Sequence, residues 1–453
     1  MRQIVGPAKG AGALVGRRMS TPRGALRLST HVLVECVEEG TLLYHTLTGE
    51  MVLLEGAECG GLESPDVDNI GPAVREELLA KRFLVPLQTD DARYADEVLS
   101  VVRLMARPPR GITGFTIFTT TECNARCFYC YEQGRRLVSM TDEVAHAAAS
   151  YIERSCAAER VSLHWFGGEP LCNVRVIELV TSDLAHAGID FRSRMTSNSL
   201  LFDEGLVRKA VRDWHLRSVQ VTIDGTREVY ERTKAYVGTD DIASPFERVL
   251  RNVGLLLDAG VRVEVRLNLH PRNVDDLCNL AIELAERFGG VEGFNVYAAM
   301  LRNDDGPMGF ADQKEAVAAY ARLRAELRNR GLRHKRGLGN FTPLNQCMAD
   351  SDSCNTIMPD GRLGLCQHYS ESHAIGDVWE GIRDTDAVSA WKERIASAEE
   401  CADCAFYPRC RMLKNCPYMK RGCSLLDRSI LAFDLRDAML TSYERYCAEA
   451  DTD

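Results

Sequence analysis

The chain has 453 residues, with 55 Lys and Arg against 65 Asp and Glu and a formal net charge of −10. That acidic balance excludes a general nucleic-acid binder, which carries a basic excess, and no run of about 18 apolar residues is present to span a membrane. At 45% hydrophobic and 26% charged the composition is that of a soluble globular protein, and the length predicts about three domains.

Residues 1–27 contain Arg2, Lys9, Arg17, Arg18, Arg23 and Arg27 and no acid. They lack the apolar stretch of a secretory signal, so a disordered basic tail on a cytoplasmic protein is expected. Residues 28–106 read as a small domain. Short strands at 32–37, 42–45 and 51–54 flank the Thr48-Gly49-Glu50 turn, followed by a helix at 72–81, an extended run at 83–87 and a helix at 91–106. Pro108-Pro109 ends this unit.

From 112 to 301 the pattern becomes strands alternating with helices. The extended runs are 115–120, 161–165, 191–196, 218–223, 261–269 and 294–299; the helical ones are 141–156, 174–187, 204–212, 245–259 and 274–288, with Thr141 as the N-cap of the first. Strands joined by helices predict parallel pairing through right-handed crossovers. The fold class is α/β, a partial (β/α)6 TIM-like barrel over 107–310, whose chemistry belongs on the loops after the strands. A connecting helix is expected at 312–330 within 311–344. Periodicity then fades over 345–426, where ligation more than an apolar core should set the shape, and a last helix follows near 428–446 within 427–453.

The sequence holds 17 cysteines. In a reducing cytoplasm, clustered cysteines are metal ligands or reactive thiols rather than bridges. Cys123, Cys127 and Cys130 form C-x3-C-x2-C directly after the first strand of the α/β region. Three thiolates on one short loop can hold three irons of a [4Fe–4S] cube and leave the fourth open. A structural zinc site would need a fourth ligand, and none lies nearby in sequence. A second group comprises Cys347, Cys354, Cys366, Cys401, Cys404, Cys410, Cys416 and Cys423, enough for two four-coordinate clusters or a pair of zinc sites. Cys36, Cys59, Cys156, Cys172, Cys278 and Cys447 are expected to be small buried hydrophobes.

Four segments in order carry a family resemblance. They are the three-cysteine loop with Tyr129 before its last cysteine, Trp165-Phe166-Gly167-Gly168-Glu169-Pro170, Thr196-Ser197-Asn198-Ser199, and Val221-Thr222-Ile223-Asp224-Gly225. Together they resemble the radical SAM superfamily. The resemblance implies that the open iron binds S-adenosylmethionine, that Gly167 and Gly168 let backbone approach a ligand, and that Glu169 receives the methionine ammonium. Tyr129, Asn198 and Arg266 are further expected contacts, with Arg266 and Asn268 on one strand face at i, i+2. Ser199 stands where the family often has glycine. Arg232 and Lys234 are candidates for the SAM carboxylate or for the surface. The implied chemistry is reductive cleavage of SAM to a 5′-deoxyadenosyl radical that removes a hydrogen atom from carbon.

The second cysteine group is similar to the SPASM extension of radical SAM enzymes that modify peptides. The resemblance assigns Cys347, Cys354, Cys366 and Cys416 to one auxiliary cluster and Cys401, Cys404, Cys410 and Cys423 to the other, three [4Fe–4S] clusters in all; five residues rather than the usual three separate Cys410 from Cys416. Residues 42–54 resemble precursor-recognition domains, small winged-helix folds that capture a leader peptide as an added strand; His31 and His45 are read as structural. The architecture implies a maturase of a ribosomally synthesised precursor peptide, served by an electron donor such as flavodoxin or ferredoxin. Cys347-Met348-Ala349-Asp350 and the 405–410 segment look closest to thioether-forming members. Carbon–carbon cross-linking, epimerisation (with Cys172 as a conceivable hydrogen donor), formylglycine formation and a non-enzymatic cluster-bearing scaffold are the alternatives. Asp350, Asp360 and Asp377 are base candidates by location.

Overall fold

The computed structural model describes residues 1–6, 25–55, 70–105, 111–156, 160–239, 241–303, 306–332, 338, 347–368, 373–392, 401, 403–407 and 424–450. The N-terminal unit comprises β1 (Arg2–Val5), β2 (Leu26–Leu28), β3 (Val32–Val37), β4 (Gly40–His45), β5 (Met51–Glu55), α1 (Pro72–Ala80), β6 (Leu84–Pro86) and α2 (Asp91–Met105). Strands β4 and β5 are buried at nearly every position, so both faces of their sheet are covered. Leu43, Val52 and Leu54 pack on Ile70, Leu78, Phe83 and Leu84. The alternate residues Leu42, Tyr44, Met51 and Leu53 pack on Leu435, Ala438, Met439 and Tyr443 from the far end of the chain. Arg2–Val5 corrects the expected tail: it is a strand, antiparallel to β5. The sheet order is β1-β5-β4-β3. Residues 7–24 lie outside the described residues.

The core runs β7 (Gly114–Thr120), α3 (Asp142–Ser155), β8 (Val161–Gly167), α4 (Val174–His186), β9 (Phe191–Ser197), α5 (Glu204–Arg212), β10 (Leu216–Thr222), α6 (Arg227–Lys234), α7 (Pro245–Asp258), β11 (Arg262–Leu269), α8 (Val274–Phe288) and β12 (Phe294–Met300). As expected, Thr141 caps α3, its side chain accepting from the Val144 N–H at 3.3 Å. Neighbouring strands from β7 to β12 are all parallel. Residues such as Ile117, Leu163, Trp165, Val219, Val263 and Val296 join the helices in one large apolar core. The alternate residues line the other, inner face of the curved sheet, which is a partial TIM-like barrel.

A two-residue hairpin, β13 (Arg302–Asn303) and β14 (Gly306–Pro307), precedes α9 (Gln313–Asn329). The cysteine-rich stretch supplies β15 (Cys354–Ile357), β16 (Arg362–Gly364), β17 (Gly376–Asp377), β18 (Gly381–Ile382) and α10 (Thr385–Lys392), and α11 (Leu425–Ala450) closes the described chain. Here the expectation needs correction. β15 pairs in parallel with β7, so one ten-stranded sheet runs β12-β11-β10-β9-β8-β7-β15-β16-β17-β18. Ile357, Leu363, Leu365, Ile375 and Val378 are buried in the main core, so apolar packing shapes the first part of this stretch. α11 is fastened to α9 by buried Arg324, which pairs with Asp434 at 2.6 Å and with Asp437. Among the described residues no helix is long and apolar enough to cross a membrane.

Candidate functional site

The loop after β7 carries Cys123, Cys127 and Cys130, and backbone bonds fix it on three sides. The Thr121 N–H donates to Val138 O (2.9 Å), the Arg126 N–H to Lys234 O (2.7 Å) and the Val237 N–H to Asn124 O (2.9 Å). The sulfurs are met by main-chain donors two residues on: the Ala125 N–H lies 3.4 Å from Cys123 Sγ, and the Glu132 N–H faces Cys130. Burial, then the charge of Glu169, pushes the Cys123 thiol up to about 12. A thiolate here therefore needs a cation bound to it. Three cysteines on one short loop are the ligand type that iron–sulfur clusters take, and Cys123, Cys127 and Cys130 are the residues that would hold one here.

Gly167 and Gly168 form the floor beneath this loop. Gly167 has φ +131°, and a Cβ there would lie 2.2 Å from Thr120 O; at Gly168 it would lie 2.3 Å from Glu122 O. The glycines thus admit the cluster loop's own backbone, with Gly168 N–H to Thr120 O at 3.0 Å and Glu169 N–H to Glu122 O at 2.8 Å. Glu169 is 1% exposed. Its Oε1 accepts from Leu171 N–H (3.1 Å) and Ser197 Oγ (2.8 Å), and its Oε2 from Asn198 N–H (2.7 Å). Burial raises its pKa despite these bonds. One lone-pair direction of Oε2 is left by these partners for an incoming cation. Asn198 is engaged at both ends of its amide, donating to Asn124 Oδ1 (2.7 Å) and accepting from Leu200 N–H (3.0 Å). Ser199 has φ +61°, the conformation that explains a glycine preference at this turn.

The sequence reading missed how strongly Asp224 and Lys234 belong to the site. Lys234 Nζ lies 2.9 Å from Asp224 Oδ2, the side chains being 3% and 1% exposed. Tyr129 OH donates to Asp224 Oδ2 at 2.8 Å and lies 3.3 Å from Lys234 Nζ. Burial opposes the ammonium, but Asp224 overrides it and raises the Lys234 pKa well above normal. Lys234 is therefore interior, whereas Arg232 is exposed and pairs only loosely with Glu228. The Val221–Gly225 motif was legible in the sequence, but its cation ten residues on carried no signal of burial.

Inside the barrel the wall is polar. Arg266 Nε donates to Asn268 Oδ1 at 2.9 Å, confirming their shared face; Tyr297 OH donates to Gln220 Oε1 at 2.9 Å, and His164 Nε2 lies 2.9 Å from Thr196 Oγ1. From the cysteine-rich stretch His368 enters this region, its ring 4.5 Å from that of Tyr131. Burial, then Arg135 and Arg266, lowers its pKa to about 4, and its main-chain N–H donates to Cys366 Sγ at 3.3 Å. Cys347 and Cys366 pack against the main core. Cys354 sits opposite Gly114, at the end of β7 far from the three-cysteine loop, and its Sγ fills the space a Cβ on Gly114 would need. Cys401 and Cys404 share one turn, Cys404 N–H to Cys401 O at 3.2 Å. Cys410, Cys416 and Cys423 lie outside the described residues, as does Cys59. Cys172, expected to be buried, is exposed, beside the cluster loop with the Asn124 N–H facing its sulfur; Cys36 is exposed too. Asp360 pairs with Arg362, and Asp377 accepts from the Trp379 and Glu380 N–H groups, so both serve turns.

Residues 117–284 match the radical SAM superfamily. The chain carries a radical SAM domain. A probable GTP 3',8-cyclase of Methanococcus maripaludis is 28% identical over 152 residues, 32% of this chain and 48% of that protein, so the chain spans about half the length of that curated relative. The GTP 3',8-cyclase of Clostridium perfringens is 22% identical over 323 residues, 64% of this chain and 92% of that protein. Among solved structures, anSMEcpe with bound AdoMet superposes with TM-score 0.56 at 13% identity, covering 75% of this chain and 96% of that one. Streptococcus suis SuiB bound to precursor peptide SuiA superposes with TM-score 0.50 at 11% identity, covering 88% and 95%. At such identities these neighbours report the fold alone.

Proposed function

We propose that this protein is a radical SAM maturase of a ribosomally synthesised peptide, closing thioether links between a cysteine sulfur and a carbon of the same peptide. The observation that carries the reading is the three-cysteine loop held on the Gly167-Gly168-Glu169 floor of a barrel whose sheet continues into a cysteine-rich stretch. Cys123, Cys127 and Cys130, with N–H donors facing two of the sulfurs, would hold the SAM-binding [4Fe–4S] cluster. Glu169, Asn198, Tyr129 and Arg266 line or brace the ground where SAM would sit. Cys347, Cys354, Cys366, Cys401, Cys404, Cys410, Cys416 and Cys423 would hold two auxiliary clusters. When bound, cluster and SAM supply the radical that removes hydrogen from carbon; the polar barrel wall orients the peptide, and the N-terminal sheet recognises its leader. Solved neighbours bound to peptides, anSMEcpe with Cp18Cys and SuiB with SuiA, support a peptide substrate. Flavodoxin or ferredoxin would supply electrons in the cytoplasm.

The test is anaerobic reaction of the peptide encoded beside the enzyme with SAM and reductant, followed by intact mass. Loss of one hydrogen pair per link, with a cysteine then resistant to alkylation, is the expected result. Unchanged mass with deuterium taken up from heavy water would establish epimerisation instead. Consumption of GTP with the peptide untouched would assign the activity named for the curated relatives.

A further inference from the structure

The N-terminal sheet has an edge occupied by the short segment Arg2–Val5. β1 runs antiparallel to β5 with Arg2 opposite Leu53, Gln3 opposite Val52 and Val5 opposite Met51, the register slipping between Gln3 and Val5. That slip brings two adjacent residues, Ile4 and Val5, onto the same apolar cluster as Leu435 and Met439, which a regular strand would send to opposite faces. Arg2 and Gln3 are exposed. Arg2 lies 2.7 Å from Glu55, with side chains 57% and 40% exposed.

β1 differs in kind from the strands beside it. β3, β4 and β5 are joined by short turns, whereas β1 connects to β2 only through residues 7–24, an acid-free run with four glycines and four basic residues. It contributes four residues, one register slip and a half-exposed ion pair, the last worth little in water. The opposite edge is guarded: Glu35 of β3 is held by Arg436 at 3.2 Å, and Glu38-Glu39 follow, charges of the kind that discourage strand addition.

We propose that Arg2–Val5 is a resident strand which an extended peptide displaces, so that the outer edge of β5 is the peptide-docking edge and Arg2–Val5 its built-in competitor. This rests on the reading of the N-terminal sheet as a recognition unit. The partner segment would run antiparallel to β5, with two neighbouring aliphatic residues over the α11 cluster and a basic residue opposite Glu55. A tethered strand acts at an effective concentration on the order of millimolar; set against a strand dissociation constant on the order of 0.1 mM, its removal should tighten peptide binding about tenfold, roughly 1.4 kcal/mol.

Amide hydrogen exchange on the full-length chain is the primary test, with the peptide encoded beside the enzyme as probe. The expected result is that amides of Arg2–Val5 lose protection on peptide addition while those of Met51–Glu55 keep theirs. Peptide-induced protection in the N-terminal sheet with Arg2–Val5 unchanged would overturn the displacement and leave recognition standing. No change anywhere in that sheet would overturn the recognition reading and the inference with it. A chain lacking residues 1–24 gives an independent measure: its Met51–Glu55 amides should exchange faster, be re-protected by millimolar synthetic Met-Arg-Gln-Ile-Val-Gly, and bind the precursor about tenfold tighter. Equal affinity of both chains would refute the competitor role.

Discussion

Lys234→Met strands the Asp224 carboxylate in the interior. In the wild type this pair is 2.9 Å apart and almost wholly shielded from water, at 3% and 1% exposure, with Tyr129 OH as the other donor to Oδ2. Removing one member of such a pair costs about 3–5 kcal/mol, because the remaining charge is uncompensated. For a core of this size that is a fall in Tm of roughly 10 °C. The pH dependence separates this cause from lost packing. An unpaired buried carboxylate has its folded pKa raised above the unfolded value near 3.9. The variant should therefore be near wild-type stability below about pH 4 and lose stability as pH rises through the raised pKa. Adding Asp224→Asn should recover more than half of the deficit at pH 7 and flatten the profile. Urea titrations of the wild type, the single variant and the double variant across pH, under anaerobic conditions, read all of this. A single-variant cost below about 1 kcal/mol at pH 7, or a double variant no better than the single, would show that the pair is solvated and refute the reasoning.

Gly168→Ala should impair cluster loading more than folding, since its Cβ meets the Glu122 and Thr121 carbonyls at 2.3 and 2.7 Å and must lift the cysteine loop; the measurement is iron content per folded chain. Ser199→Gly should stabilise by about 1 kcal/mol, because it relieves φ +61° and removes a buried hydroxyl without a hydrogen-bond partner; an unchanged or lowered Tm would contradict this. His45 is wholly buried, and burial followed by the His31 charge lowers its pKa to about 3. Its unfolded pKa is near 6.5, so as pH falls below that the unfolded chain takes up a proton the folded one refuses, and stability is lost progressively down to about pH 3. His45→Gln should reduce the slope of stability against pH in that window by up to about 1.4 kcal/mol per unit.

The barrel strands were legible because each is an apolar run between helical patterns, and period-two alternation assigns their faces without further help. The three-cysteine loop was legible for a different reason, since its cysteines are adjacent in sequence. The motifs around Glu169 and Asn198 were visible in the sequence and the structure joins the two by a hydrogen bond, yet the reason for the two glycines was not visible: their missing side chains make way for the cysteine loop's carbonyls. Lys234 was left between surface and site because ten residues and a helix separate it from Asp224. The strands after Cys347 were read as irregular because each is short and none has an amphipathic period of its own; they are strands by virtue of β7 beside them.

Local pattern and composition thus determined the α/β core and the position of the cysteine loop on it, since helix period, strand alternation and thiol clustering act over a few residues. Tertiary structure alone decided which distant segments share an interior. It set Asp224 against Lys234, carried α11 back across the N-terminal sheet, extended the barrel sheet through β15, and made a strand of Arg2–Val5 that composition had marked as tail. The physical reason is the same throughout. An edge strand, a buried charge or an apolar helix face is stable only against a partner, and the partner's distance along the chain leaves no local trace.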